Sequence, residues 1–361
     1  MEIVTTSAPV TPALATKKRV PLWDNARFLT MTLVVIGHSI QRMTGESDAA
    51  YIIYLLIYSF HMPAFAVISG YFSKSDPPPS SQLKRVLTDI LLPYFVFEII
   101  WSFVQFLVEG RQDFNPTKAS WTLWFLLALA IFRLVLPYLA LIRFPLAWAI
   151  VLSVGVGYLS NVDSTFSLSR AFGILPFFVL GWKLKQWGVI DRWNEASARI
   201  SLWVRGAAGA VLLTWITVLI LNISQFRMIS LQHWFFFDDS YAAMDANLWW
   251  AGLGRLGVIV LATALIAAFI ALVPRVPTAF TAWGQATMYI YLLHTFVLYP
   301  IRESGILEGA DAPVLLLPGM ILAAIVISLA LGTRIVRKIF RPLVEPRASW
   351  LFVDRDGLRR S

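Results

Sequence analysis

Apolar runs of near-bilayer length recur from one end of this chain to the other. They fall at about 22–41, 50–73, 87–108, 120–140, 144–160, 170–187, 203–222, 247–273, 284–301 and 313–333, with polar loops between them. About 20 residues rising 1.5 Å each cover the hydrocarbon thickness of a membrane. Lipid offers a peptide group no hydrogen-bond partner, so runs of this kind must be helical. The chain therefore reads as an all-α polytopic membrane protein with about ten transmembrane helices. Composition agrees: 58% of the 361 residues are hydrophobic and 14% are charged, where soluble domains carry about a quarter. The 15 Trp and 11 Tyr suit the interfacial belts of such a protein.

Lys and Arg concentrate in alternate loops. Lys17, Lys18 and Arg19, then Lys74, Lys84 and Arg85, Arg143, Lys183 to Arg205, Arg275, and Arg334 to Arg341 all fall on one side. The positive-inside rule makes that side cytoplasmic and puts both termini there. The net charge of +9 is thus first a topology signal. The expected division is a flexible cytoplasmic tail over 1–20, a membrane domain over 21–335 and a basic cytoplasmic tail over 336–361. Pro77-Pro78-Pro79 marks the loop from Lys74 to Arg85 as a stiff polar breaker. The first apolar core, Phe28–Ile36, runs into His38 with no small-residue cleavage site, so the first helix is expected to stay as an anchor. The expected location is the plasma (inner) membrane.

Several polar side chains sit where lipid would reject them. Arg27 and His38 lie eleven residues apart on the first helix. That is close to three turns, so the two share one face, about 16 Å apart along the axis. His61 and His294 also fall within helices, as do Arg255 and Glu98. Their expected depths are similar, but periodicity does not show whether they converge laterally. A neutral imidazole can take a proton from a hydroxyl near neutral pH. The chain has no Cys, which excludes disulfides and thiol nucleophiles. No HExxH stretch or carboxylate cluster suggests a metal, and no Gly-rich phosphate loop or nucleic-acid motif occurs. Plain structural roles compete at each position. A membrane histidine can simply bond a neighbouring helix. Arg27 can snorkel to headgroups, and Arg255 can sit in a buried ion pair, with Glu98 as a candidate partner. Arg133 and Arg170 read as interfacial, Trp121 and Trp124 as belt or packing residues, and Pro63 and Gly70 as shaping the second helix.

Arg27, ten residues and then His38 resembles the Arg-x10-His signature of the membrane acyltransferase-3 family. Phe60-His61-Met62-Pro63 followed by Ser69-Gly70-Tyr71, the stretch Trp121 to Leu126, and Tyr291-Leu292-Leu293-His294 are similar to its later motifs, in order. Trp23-Asp24-Asn25-Ala26-Arg27 is closest to the branch of fucose 4-O-acetylase-like acetyltransferases. The resemblance covers about 20–335. It implies transfer of an acyl group, usually acetyl, from cytoplasmic acyl-CoA to a hydroxyl of a sugar, glycan or other small acceptor. Acyl-CoA is then a co-substrate, with no tightly bound cofactor. Arg27 and His38 carry over as the functional pair and His61 as a further member. Arg27, Lys84, Arg85 and Arg143 become phosphate contacts for the donor. Arg255, His294 and Glu98 are expected on the acceptor side, and Arg255 matches no family motif and rests on depth alone. The partners expected are acyl-CoA, the acceptor and membrane lipid, with no nucleic acid.

Two other classes compete. Intramembrane His and Arg also mark substrate paths in a transporter or flippase for a glycan or lipid-linked sugar, though no pair of matching broken helices in two repeat halves is visible. An acyl-sensing scaffold with a dead site is weighed against by the intact Arg27–His38 spacing. The loop at 223–246 holds His233, Phe235–Phe237, Asp238 and Asp239. That mix suits sugar contacts as well as an ordinary interfacial loop.

Overall fold

The computed structural model describes residues 19–76, 80–110, 114–246, 248–307, 315–346, 348, 351 and 352. Among these every regular element is helical. Most of the expected tail at 1–20, the triple-proline stretch and 353–361 lie outside the described residues.

Helix α1 (Pro21–Ile40) starts on a proline, whose missing N–H costs nothing in a first turn. Asp24 in that turn faces the positive end of the helix. Thr30 and Thr32 turn their hydroxyls onto the carbonyls of Ala26 and Phe28, at 2.7 and 3.0 Å. The helix thereby hides its own polar groups.

The expected second helix is two, α2 (Asp48–Tyr58) and α3 (His61–Tyr71). They meet at Phe60, whose backbone (φ −148°, ψ −15°) is not helical. Next come α4 (Ser80–Val86), a π turn at Leu87–Leu91 and α5 (Leu92–Glu109). Lys84 and Arg85 therefore stand on a helix, which corrects the expectation of a loop running to Arg85. Pro93 cannot donate to the carbonyl four residues back, and the chain answers with the wider turn, in which Leu92 N–H donates to Leu87.

The remaining helices are α6 (Trp124–Leu139), α7 (Pro145–Val156), α8 (Leu168–Gln186), α9 (Val189–Glu195), α10 (Ala198–Leu221), α11 (Ile223–Met228), α12 (Gln232–Phe236), α13 (Ala251–Leu272), α14 (Thr287–Glu303), α15 (Leu316–Leu331) and α16 (Arg334–Val344). Five stretches are long and apolar enough to cross a membrane, and a sixth joins them if α15 and α16, bent by 74°, count as one. The polar α1 and the shorter α6, α7 and α14 are not among them. At 1.5 Å per residue α7 reaches only about 18 Å, short of the hydrocarbon core. The loop after α10 folds into α11 and α12, and the basic tail expected from 336 begins inside α16.

Packing is closest where α3 crosses α8. A Cβ on Gly70 would lie 1.9 Å from the carbonyl oxygen of Phe178, and one on Gly181 1.9 Å from that of Val67. Only glycine fits at either place, and the reciprocal pair lets the two backbones touch. Helix α1 sits inside the bundle against α3, α14, α15 and a 3-10 turn at Thr281–Gln285. Helix α10 instead leaves Leu202, Trp203, Leu213 and Leu221 exposed, an apolar flank suited to lipid.

Candidate active site

Near the start of α1, Asp24 holds two guanidiniums, Arg19 at 3.1 Å and Arg27 at 3.4 Å. Arg27 also lies over the Phe72 ring, 4.4 Å from its centroid. Between them, Asn25 is fully buried. Its amide N–H groups donate to the carbonyls of Pro274 and Val276 at 2.9 and 3.0 Å, and its oxygen accepts from Thr278 and Thr281 at 3.1 and 2.6 Å. Asn25 thus fastens the loop before α14 to α1, a role that periodicity does not reveal. Arg27 lines a cavity of about 220 Å³ together with Arg133, Phe72, Met62 and Tyr291.

Three turns further along α1, His38 lines a second cavity, of about 150 Å³, with His61, Tyr54, Tyr58, Trp121 and Arg170. Arg27 and His38 therefore do not share one cavity. They line two that adjoin, and Met62 and Tyr291 belong to both walls. Tyr291 is held in that wall by its hydroxyl, which donates to the carbonyl of Thr122.

The three histidines differ in what their rings do. His61 Nδ1 lies 2.9 Å from the carbonyl of Ile57, across the break between α2 and α3. His294 Nδ1 lies 3.0 and 2.8 Å from the carbonyls of Ile290 and Tyr291. A carbonyl only accepts, so in both rings Nδ1 carries the hydrogen and the neutral form leaves Nε2 bare. His294 stands behind His38, with ring centroids 5.5 Å apart, and its buried Nε2 has no partner among the described residues. His38 Nδ1 is buried and likewise unpartnered. Tyr58 and Trp121 meet the His38 ring edge-on at 6.3 and 6.1 Å, and Tyr58 also packs on His61 at 4.6 Å. Two imidazoles, His38 and His61, thus line the chamber between aromatic edges, and the His38 ring makes no hydrogen bond among the described residues.

Other expected site residues fall elsewhere. Glu98 is buried and accepts from Ser120, at 2.9 Å from its N–H and 2.6 Å from its hydroxyl. It anchors the turn that leads into Trp121, whose φ of 46° is left-handed, and it lines none of these cavities. Arg255 is also buried, clasped by the Phe237 and Tyr241 rings at 4.9 and 5.6 Å, with one N–H directed 3.4 Å to the carbonyl of Asp239. It supports the segment after α12 and does not reach the chamber. Glu98 and Arg255 are therefore not each other's ion-pair partners. Arg143 and Arg85 are exposed and line none of the cavities described. Lys84 packs on Phe352 at 4.8 Å and lines a wide cavity of about 680 Å³, which meets the Arg27 cavity at Met288.

Sequence reasoning missed three contributors. Trp121, read as a belt residue, is a wall of the His38 chamber, and so is Arg170, read as interfacial. Arg170 pairs with Asp238 at 2.6 Å, and Ser169 donates to the same carboxylate at 2.9 Å. This fastens the α12 segment over the chamber, where Phe235 and Phe236 close it. Arg133, also read as interfacial, lines the Arg27 cavity. Beyond Gln41, Tyr54 and Phe236 the chamber adjoins a vestibule of about 530 Å³ lined by Arg42, Gln232, His233 and Arg302.

A family model described as an acyltransferase domain matches residues 21–333. Over 191 residues the chain is 27% identical to Nodulation protein NolL of Mesorhizobium japonicum, a stretch that covers 48% of this chain and 51% of that protein. The chain thus spans about half the length of this curated relative. No solved structure matches it. The family match runs from the first residue of α1 to just past α15 and takes in Arg27, His38, His61 and His294, and the chain belongs to the membrane acyltransferase-3 family.

Proposed function

We propose that this protein is an integral-membrane O-acyltransferase that moves an acyl group, acetyl in the first instance, from cytoplasmic acyl-CoA to a hydroxyl of a sugar or glycan. One observation carries the reading. Four cavities follow one another through the molecule, and the smallest and most enclosed of them contains the unbonded His38 ring. The donor enters past Lys84 and Arg27, and the acceptor arrives from the opposite vestibule. Arg27 and Arg133 meet the anionic phosphates, and the thioester reaches past Met62 and Tyr291 toward His38.

His38 takes the proton of the acceptor hydroxyl as its oxygen attacks the thioester carbonyl. The carbon–sulfur bond then breaks, and the departing CoA thiolate recovers the proton. The small volume of the chamber favours a short acyl group. Excluding water from it protects the thioester from hydrolysis.

Two further observations support the orientation. Asn25 and Arg275 tie together segments whose basic residues are assigned to the cytoplasm. Arg275 reaches Ser201 at 2.7 Å and stacks on Trp193. At the other end Arg227 pairs with Asp48 at 2.8 Å, and Arg42 with Glu303 at 3.6 Å. About ten membrane-embedded helices, cytoplasmic termini, a plasma-membrane location and a place near the fucose 4-O-acetylase-like branch belong to the same proposal.

The run of cavities also fits a transporter of a glycan or lipid-linked sugar. Radiolabelled acetyl-CoA supplied to proteoliposomes separates the two. Label on a hydroxyl acceptor, lost with His38→Ala, supports the transferase. Movement of a glycan without label transfer overturns it.

A further inference from the structure

Helix α16 carries a surface that the transferase does not use. Ile335, Ile339 and Leu343 recur every four residues, so they form one stripe, and they are 71%, 63% and 37% exposed. Val336, Phe340 and Val344 lie about 100° further round the helix and pack on the core, with Val344 only 2% exposed. On the other flank of the exposed stripe stand Lys338 and Arg334, followed by Arg341 and Arg337. Arg341 bonds Glu345 at 3.1 Å, and Glu345 accepts from Tyr289 at 2.9 Å, pinning the end of α16 to the foot of α14. Arg334 and Lys338 are exposed and make no ion pair among the described residues.

Helix α16 bends away from α15 by 74°. If α15 crosses a bilayer, α16 lies nearly along its surface. Its inner stripe is covered by protein, its exposed stripe then faces acyl chains, and its basic flank faces headgroup phosphates. A helix of that make-up partitions into the interface, and anionic lipid strengthens its hold. We infer that α16 is an interfacial anchor that seats the protein on anionic phospholipid, with Ile335, Ile339 and Leu343 inserted and Arg334 and Lys338 on the phosphates. Charge complementarity and continuity with the apolar α15 select lipid as the occupant. The inference needs α15 in a membrane but is independent of the chemistry at His38. It also reaches the donor mouth, since Val344 and Glu345 wall the cavity that contains Lys84.

The chain has no cysteine, so single labels can be placed without background. The full-length protein carrying Ile339→Cys or Lys338→Cys is labelled with an environment-sensitive fluorophore in nanodiscs of phosphatidylcholine, with or without phosphatidylglycerol. The label at 339 is expected to shift to the blue, to be quenched by doxyl lipid and to be shielded from iodide, while the label at 338 remains open to iodide. Ile335→Cys repeats the measurement if the first variant does not fold. Iodide reaching 339 as freely as 338 overturns the inference. So does shielding of 339 from both quenchers, which would place a second protein copy on the stripe. Retention of phosphatidylglycerol over phosphatidylcholine, read by native mass spectrometry, is expected to fall at least tenfold in the Arg334→Gln, Lys338→Gln double variant. This follows from roughly fivefold per basic residue near an anionic leaflet, and an unchanged ratio overturns the anionic-lipid assignment.

Discussion

His38 and His294 lie with ring centroids 5.5 Å apart and planes tilted by 38°, yet they are held in opposite ways. His294 gives its Nδ1 hydrogen to two carbonyls of its own helix. His38 makes no hydrogen bond to the described residues, and its Nδ1 is buried and bare. One ring is fixed by the backbone and the other has a bare nitrogen, and on this difference rests our proposal of proton transfer for His38 and orientation for His294.

Replacing His38 by Ala should lower acyl transfer by about 10² to 10⁴, the usual contribution of a positioned base, with an unchanged thermal unfolding profile. His294→Phe keeps the ring volume and should cost less. Turnover in reconstituted membranes checks both, and a His38→Ala protein that retains normal turnover removes the assignment.

Met62 belongs to the walls of both the Arg27 and the His38 cavities, and on the proposed route the acyl group passes its thioether. Truncation to Ala should open that passage to longer chains. The preference for acetyl over butyryl donors is expected to fall by about tenfold, within the range a pocket gains per methylene. Met62→Trp should close it. A panel of acyl-CoA lengths reads the change, and an unaltered preference in both variants would move the acyl path elsewhere.

Arg27 offers a planar fork that an ammonium cannot reproduce. Arg27→Lys should raise the KM for acyl-CoA roughly tenfold, the loss of one charge-assisted contact, while kcat changes little. Steady-state kinetics at saturating acceptor would separate the two, and an unchanged KM would leave Arg27 as a partner of Asp24 only.

Gly181→Ala should destabilise the fold by about 1–3 kcal/mol or more, the cost of overpacking, because its Cβ would meet the Val67 carbonyl at 1.9 Å. Gly209→Ala on α10 meets nothing within 4 Å and should be neutral or mildly stabilising. Thermal unfolding in detergent compares the pair, and equal midpoints would contradict the close crossing of α3 and α8.

Glu98→Ala leaves the Ser120 N–H and hydroxyl without their acceptor. The expected loss is about 1–3 kcal/mol of stability, with a fall in turnover as Trp121 loses its support. Glu98→Gln retains a carbonyl acceptor and should recover part of both. Turnover and unfolding midpoint measured together test this, and a fall in turnover with full stability would give Glu98 a direct part in the site.

By itself the sequence determined what is local along the chain. The apolar runs demanded helices, and eleven residues put Arg27 and His38 on one face of α1, because helical period depends only on spacing. The positions of Lys84 on a helix and of the break at Phe60 were already less legible, since no apolar spacing in the chain marks either. Tertiary structure alone decided that His61 and Trp121 stand in the wall with His38, that His294 backs it, and that Glu98 and Arg255 support other segments. It also decided that a wall of Met62 and Tyr291 separates Arg27 from His38. The reason is physical. Within lipid, helices are not sorted by hydrophobicity, so shape and close approach set which faces meet, as at Gly70 and Gly181, and no period along one helix encodes the shape of its neighbour.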